Sequence, residues 1–325
     1  MTMITINGNR FFNEDCIPGL RRHLADESVD LIITDPPYGI GGGQLHKHYN
    51  RDEQYVVGGY VEVPAAEYGE FSRRWIREAE RVLKPNGQIY IVSGYTHLYD
   101  VLGALRATSL QEINHIIWKY NFGVYTRTKY VSSHYHILYY EKPGSGKRAF
   151  NLECRYGLQE KTANGGSLNY RDREDVWVIN REYKPGRLKN KNELPIALLS
   201  KMILYSSHEG DLICDPFLGG FSTARVAIGL NRRFVGFEIS TPIFTAKIAE
   251  MQQLSPGDLL ETLRVPESNP LPNQGKSWSD ADIRRLLARY AELRRAPKTK
   301  KETLRILTAE FGRGRWAIER ILKRK

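Results

Sequence analysis

Cysteine is scarce in this chain. Cys16, Cys154 and Cys214 are the only three in 325 residues, and they lie far apart. That spacing excludes a disulfide framework and a zinc knuckle. No apolar run reaches the ~18 residues that a membrane-crossing helix needs. The N-terminus lacks the basic-then-apolar pattern of a signal peptide, and residues 1–5 carry no assignment. No internal repeat is visible. Together these absences predict a soluble, cytoplasmic protein with no membrane partner. Acidic residues are also in deficit, with 37 Asp+Glu against 48 Lys+Arg, a net charge of +11. The 41% of hydrophobic residues suffices for a sizeable core. At about 100–200 residues per domain, the length allows one large domain with a small one, or two of moderate size.

The charge is uneven. Residues 275–325 hold 16 Lys/Arg and 6 Asp/Glu, which leaves +1 for residues 1–274. A nearly neutral body therefore carries a basic tail, and a basic segment with helical patterning points to a polyanion, most often nucleic acid.

Short apolar runs recur along the body at Val29–Thr34, Gln88–Ser93, His115–Trp118, His136–Glu141, Val176–Ile179, Asp211–Cys214 and Arg233–Phe237. Most are near-continuous, as in strands buried on both faces of a parallel sheet. Helix-length patterns lie between several of them, at Phe71–Leu83, Pro195–Tyr205 and Ser222–Leu230. Strands alternating with helices predict an α/β fold with a doubly wound, mostly parallel sheet. Gly39–Gly59 is too long and Gly-rich for an ordinary connection. Lys142–Lys189 reads as an inserted subdomain, and Pro266–Gly275 as a linker.

Asp35-Pro36-Pro37-Tyr38 follows directly on the run Val29–Thr34. The C-terminal ends of strands are where open α/β sheets bind ligands. The prolines fix φ and remove two backbone donors, leaving carbonyl acceptors beside the Asp35 carboxylate. Such a rim suits a planar amino group with two N–H donors, and Tyr38 is available to stack on an attached ring. A second signal lies in Asp211–Thr223 (DLICDPFLGGFST). A strand runs into Asp215-Pro216-Phe217 and Gly219-Gly220, and Ser222-Thr223 open a helix. Glycines admit a ligand close to the backbone, and a helix N-terminus with hydroxyls suits an anionic group. Glu238 ends the next strand eighteen residues after Gly220. An acid at about that spacing accepts hydrogen bonds from ribose hydroxyls. Strand, turn, helix, strand and acid in register predict a nucleoside-type cofactor.

With these residues in view, the chain resembles an amino-methyltransferase acting on DNA, of the permuted arrangement called β. In that family Asp-Pro-Pro-Tyr precedes the target-recognition region and the S-adenosylmethionine loop follows it. Here DPPY stands at 35–38, a recognition-like insert at about 142–189, and DPFLGG at 215–220. The similarity covers roughly residues 7–250. It includes Phe12-Asn13-Glu14-Asp15-Cys16, Asp26–Tyr38, Glu80–Gly87, Ser133–Lys142, Asp175-Val176-Trp177 and Asn192–Ile203. The resemblance implies a Rossmann-like fold spanning 1–265 and an S-adenosylmethionine cofactor. It places cofactor contacts on Asp15, Cys16, Asp35 and Asn192, and on Asp215, Phe217, Gly219, Gly220, Ser222, Thr223 and Glu238. Two positions depart from the family. Phe221 stands where the second Gly of Phe-x-Gly-x-Gly is expected, and Leu194-Pro195 replaces a Lys-Pro, passing any role of that lysine elsewhere, with Lys191 or Asn192 nearby.

The implied chemistry needs no metal. The exocyclic amine of adenine or cytosine is a poor nucleophile, because its lone pair is delocalised into the ring. Hydrogen bonds from its two N–H groups to Asp35 and the Pro36 carbonyl rehybridise the nitrogen and aim the lone pair at the sulfonium methyl. Positioning then carries much of the catalysis, with Pro37 stiffening the rim and Tyr38 stacking on a base that has left the duplex. Asp at the first motif position favours adenine N6, since relatives modifying cytosine N4 more often carry Ser there. Cytosine N4 is the alternative, and a DNA-binding protein without turnover is a third reading. Lys47 and Arg51, in the Gly-rich stretch, and Arg127 and Lys129 are candidate DNA contacts. His46, His48, His134 and His136 lack the further ligands a metal site needs.

In the tail, Ser279-Asp280-Ala281-Asp282 starts a helix with Ile283, Leu286, Leu287 and Tyr290 on one face. Thr299–Glu302 reads as a capping box, followed by Leu304, Leu307, Phe311 and Gly312. A third helix carries Trp316, Ala317, Ile321 and Leu322 inward, with Arg313, Arg315, Arg320, Lys323 and Arg324 outward. Residues 276–325 therefore resemble a helix-turn-helix module that grips double-stranded DNA. The resemblance also implies a prokaryotic or phage protein associated with the nucleoid. It leaves a homodimer and a cognate restriction endonuclease open as partners.

Overall fold

The computed structural model describes residues 2–39, 62–121, 123, 125–182, 193–267, 271–273 and 275–323. The elements in order are β1 (Thr2–Ile6), β2 (Asn9–Asn13), α1 (Cys16–His23), β3 (Val29–Thr34), α2 (Tyr68–Val82), β4 (Leu83–Ser93), α3 (Leu98–Arg106), β5 (Gln111–Lys119) and β6 (His134–Glu141). They continue with α4 (Leu168–Asp172), β7 (Val176–Val178), α5 (Ile196–Ser206), β8 (Leu212–Asp215), α6 (Ser222–Gly229), β9 (Arg233–Phe237), α7 (Thr241–Met251), α8 (Asp280–Leu293), α9 (Lys300–Phe311) and α10 (Arg315–Leu322). The chain divides into two compact units. One is Met1–Tyr156 with Asn169–Pro266, and the other is Gly157–Leu168 with Glu267–Lys325.

The first unit is built on a nine-stranded sheet of order β1-β2-β9-β8-β3-β4-β6-β5-β7. From β2 to β4 the pairings are parallel. β1 joins β2 antiparallel, β6 joins both β4 and β5 antiparallel, and β7 returns parallel to β5. The apolar runs at 115–118 and 136–141 thus belong to antiparallel strands, although they read as continuously as the central ones. Residues 2–13, which no apolar run marked, form a hairpin that extends the sheet beyond β9.

Alternation along β3 separates two apolar layers. Leu31 and Ile33 pack with α5, α6 and α7 on one face. Ile32 packs with α1, α2 and α3 on the other. Every residue of β3 but Asp30 is buried. Asp30 accepts from Lys84 Nζ at 2.6 Å and from the Leu212 N–H at 2.9 Å, so it ties β3 to both of its neighbours. Helices cover both faces of the sheet, as the alternating pattern predicted.

In the second unit, α8, α9 and α10 enclose Leu286, Leu293, Leu304, Leu307, Phe311, Ile318 and Ile321. Ser279 caps α8, and the Thr299–Glu302 capping box opens α9. Gly312 ends α9 at φ +59°, in the left-handed region that glycine enters without strain. Glu160 Oε1 accepts from the N–H groups of Gly157 and Glu267, at 2.9 and 2.7 Å, and so fastens the 157–168 segment to the start of the tail. Trp316 is 84% exposed, contrary to the inward placement its spacing suggested. Helix α10 begins only at Arg315, and its period buries Ile321 as expected but puts Ile318 inward in place of Trp316.

Candidate active site

β3 and β8 are parallel neighbours, with Leu31 opposite Ile213 and Ile32 opposite Cys214. Asp35 and Asp215 therefore emerge side by side at the same sheet edge. Thr34 Oγ1 donates to Asp215 Oδ1 at 2.8 Å and joins the two strand ends. The same Asp215 oxygen accepts from the Phe217 N–H at 3.0 Å, and Thr223 also bonds this carboxylate.

The 35–38 segment is held from several sides. Tyr68 donates its hydroxyl to the Pro37 carbonyl at 2.7 Å, so that carbonyl fixes the turn. The Tyr68 ring stacks on His97 at 4.1 Å, and His97 Nε2 lies 3.2 Å from the Gly39 carbonyl. Tyr38 approaches Gly94, where a Cβ would meet the Tyr38 ring at 3.4 Å. The Tyr38 hydroxyl donates to Asp35 Oδ1, and the Tyr38 ring stacks on Tyr135 at 5.6 Å.

Burial pushes the Asp35 carboxyl up from its ordinary range to about 7. The Tyr38 hydrogen bond and the Arg181 charge pull it down, and the Asp215 charge adds to the rise. Burial also raises Tyr38, which keeps its proton and acts as the donor. Asp215 is raised to about 6, again chiefly by burial. Burial outweighs the hydrogen bonds that each carboxylate accepts, and an ionised carboxylate so placed rewards an arriving donor.

The turn after β8 carries the second half of the site. Gly219 has φ +48°. A Cβ on Gly220 would meet the Glu193 side chain at 2.6 Å. Glu238 accepts from the N–H groups of Gly219 and Ser240, at 2.9 and 2.7 Å, and burial raises it to about 7. Phe221 keeps the left-handed conformation of a glycine, with φ 60° and ψ 20°. That costs a non-glycine residue roughly 1–2 kcal/mol. Its ring is fully buried against Phe11 at 5.7 Å and Phe244 at 6.0 Å. Asp15 caps α1 by accepting from the Ile17 N–H at 2.8 Å, and Cys16 is buried in the core with its thiol pushed up by burial. Ser222 and Thr223 open α6.

Residues 29–250 match the family model N6_N4_Mtase, described as DNA methylase. The chain belongs to this family. It is a DNA methyltransferase. The type II methyltransferase M2.DpnII of Streptococcus pneumoniae is 32% identical over 220 residues, covering 66% of this chain and 79% of that protein. M.HinfI of Haemophilus influenzae, another type II methyltransferase, is 26% identical over 302 residues, covering 87% and 80%. In fold, the methyltransferase is similar to a DNA modification methylase of Thermus thermophilus solved with S-adenosyl-L-methionine. There the TM-score is 0.52 at 23% identity, covering 75% of this chain and 95% of that one.

Not every expected residue falls at the site. Lys47, Arg51, Asn192, His46, His48 and Lys191 lie outside the described residues. Arg127 and Lys129 are exposed between β5 and β6, in a stretch that also exposes Tyr125 and Tyr130. Arg315, Arg320 and Lys323 are exposed on and after α10, with Arg315 paired to Glu319 at 3.1 Å. Arg313 departs from expectation. It is buried, bonds the Lys276 and Ser277 carbonyls, and lies 4.2 Å over Trp278, so it braces the tail and presents no charge to DNA.

Two features escaped the sequence reading. Lys247, buried on α7, pairs with Glu193 at 3.3 Å and so brings a lysine close to the Gly220 turn, near the place that Leu194 left empty of charge. Arg181 enters an aromatic cluster next to Tyr38. The Lys247 pairing joins residues 54 apart, which no local pattern reveals. Among the described residues, no cluster of three or more His, Cys, Asp or Glu can hold a metal, and no helix is long and apolar enough to cross a membrane.

Proposed function

We propose that this methyltransferase modifies adenine at N6, within a specific sequence of duplex DNA. The observation that carries the reading is the pairing of Asp35-Pro36-Pro37-Tyr38 with the Asp215–Gly220 turn across neighbouring strands, bridged by Thr34 and Asp215. S-adenosylmethionine, when bound, supplies an electrophilic methyl group. The residues present fit it. Glu238 is a buried carboxylate suited to ribose hydroxyls, Gly219 and Gly220 admit close approach, and Asp215, Phe217, Ser222 and Thr223 line the same turn.

On the substrate side, Asp35 and the Pro36 carbonyl accept the two N–H groups of the exocyclic amine. This concentrates the nitrogen lone pair away from the ring. The ring of Tyr38 stacks on the base, and stacking offsets part of the few kcal/mol that flipping costs. The Tyr38 hydroxyl must release Asp35 Oδ1 as the amine arrives. Asp35 must also be ionised, because a protonated carboxyl loses acceptor capacity.

Residues 276–325 serve as the DNA-gripping module, 266–275 as its linker, and about 142–189 as the target-recognition insert. The grouping of Gly157–Leu168 with the tail in one compact unit supports joint action of insert and tail on DNA. The type II designation of the relatives supports a cognate restriction endonuclease as a partner. Incubation with labelled S-adenosylmethionine and DNA, followed by nucleoside analysis, tests the assignment. N6-methyladenine is the expected product, and N4-methylcytosine overturns the base assignment.

A further inference from the structure

Arg181 lies just beyond β7, and that stretch is pinned to β5. The Ile179 N–H donates to the Lys119 carbonyl at 3.0 Å, and Trp118 Nε1 donates to the Ile179 carbonyl at 2.8 Å. The guanidinium carbon of Arg181 sits 5.5 Å from the ring centroid of Trp118, 5.1 Å from Tyr120 and 5.3 Å from Tyr135. These rings pack on one another, with Trp118 stacked on Tyr135 at 5.6 Å and Tyr120 at 5.5 Å from Tyr135. Tyr135 in turn stacks on Tyr38. A cation held on three aromatic faces is fixed in place by the ring quadrupoles as well as by packing. Its charge acts on the Asp35 carboxyl.

We propose that Arg181 is a positioning residue for methyl transfer. From its seat on Trp118, Tyr120 and Tyr135 it brings a fixed positive charge to the Asp35 pocket and braces the ring against which Tyr38 lies. This rests on the reading of Asp35 as the acceptor of the target amine. Two carboxylates, Asp35 and Asp215, share this edge of the sheet, and Asp215 raises Asp35 while Arg181 lowers it. The phenols of Tyr38 and Tyr135 complete the groups that face the pocket, and Arg181 acts on Tyr38 as well. The charge of Arg181 therefore offsets part of the burial that disfavours the ionised Asp35. Lysine retains the charge, and methionine fills the cage without charge.

The test is single-turnover methyl transfer from pH 5.5 to 9, at saturating DNA and S-adenosylmethionine, for the parent, Arg181→Lys and Arg181→Met. Cofactor binding by each variant confirms that its fold is intact. The expected result is an acid limb displaced upward by about one pH unit in Arg181→Met, and returned close to the parent position in Arg181→Lys. A limb that stays in place in Arg181→Met overturns the proposal, even where the rate falls at every pH. Should Arg181→Met fail to bind cofactor, the neutral Arg181→Gln takes its place: a limb displaced upward supports the proposal and an unmoved one overturns it. An Asp35→Ala control separates the two readings. If Asp35→Ala still transfers methyl, the function assigned to Asp35 fails. If Asp35→Ala is inactive and Arg181→Met leaves the limb unmoved, only the role of Arg181 fails.

Discussion

The Tyr38 hydroxyl donates to Oδ1 of Asp35, so the carboxylate at the end of β3 is already engaged before any base arrives. Under the proposed function, the residue that stacks on the base is thus also the residue that closes the acceptor. Removing the ring and removing the hydroxyl have different consequences. Tyr38→Ala loses the stack, worth about 1–3 kcal/mol per base, and is expected to slow single-turnover methyl transfer by roughly 5- to 150-fold. Tyr38→Phe keeps the stack and frees Asp35, and its rate is expected to stay within about tenfold of the parent. Equal losses in the two variants contradict the division of roles.

Activity is expected to follow the ionisation of Asp35. Burial raises this carboxyl to about 7. Below that pH it is protonated and acceptor capacity is lost, and above it the carboxylate is restored. The single-turnover rate of the parent therefore climbs through a midpoint near pH 7. A flat profile from pH 5.5 to 8 contradicts the assignment.

Glu238→Ala is expected to raise the dissociation constant of S-adenosylmethionine by tenfold or more, the effect of losing about 1.4 kcal/mol. Its DNA affinity is expected to change less than threefold. Calorimetric titration with cofactor and fluorescence anisotropy with labelled duplex give the comparison. Equal effects on both ligands refute the ribose assignment.

Phe221 sets backbone strain against packing. Phe221→Gly relieves roughly 1–2 kcal/mol of left-handed strain. It also empties a fully buried aromatic site, and large-to-small changes of that kind cost about 3–5 kcal/mol. Packing wins, so denaturant unfolding is expected to show a net loss of about 1–4 kcal/mol. A stabilised Phe221→Gly variant contradicts this balance.

The tail separates structural from DNA-facing arginines. Arg313→Ala is expected to lower the unfolding temperature, because it removes bonds to two carbonyls and a cation over Trp278. Arg315→Ala, Arg320→Ala and Lys323→Ala are expected to leave stability nearly unchanged. Each that contacts phosphate lowers the salt slope of DNA binding by about 0.9. An unchanged slope in the triple variant takes this face off the DNA.

The centre of the fold was legible because the central strands are short, apolar and followed by chemistry-bearing turns. β3 and β9 fall within the bounds their patterns gave, and β8 is shifted by one residue. The DPPY and DPFLGG segments stand at neighbouring strand ends. Other elements left weaker traces. The β2 strand is five residues long and buries Asn9, whose Oδ1 accepts from the Phe234 N–H at 2.8 Å, so a polar residue inside the sheet hid it. The α3 helix carries Gly103 in its middle. The α7 helix did carry a readable start, Ser240 followed by Pro242, which composition alone passed over. The direction of β5 and β6 depends on pairing, and an apolar run has no sign of its partner. Arg181 became visible only when β5, β6 and the end of β7 brought three rings around one cation. Trp316 left its expected face because one residue of helix phase turns a side chain by about 100°. Arg313, by contrast, precedes α10 and is buried by its bonds to the Lys276 and Ser277 carbonyls and its place over Trp278.

Methyl transfer to a defined site by the parent and by Asp35→Ala, measured with labelled S-adenosylmethionine and resolved by nucleoside analysis, tests the central claim most directly. N6-methyladenine from the parent and none from Asp35→Ala, with cofactor affinity in the variant kept within about tenfold, is the predicted result. N6-methyladenine formed by Asp35→Ala at a rate near the parent's would contradict it.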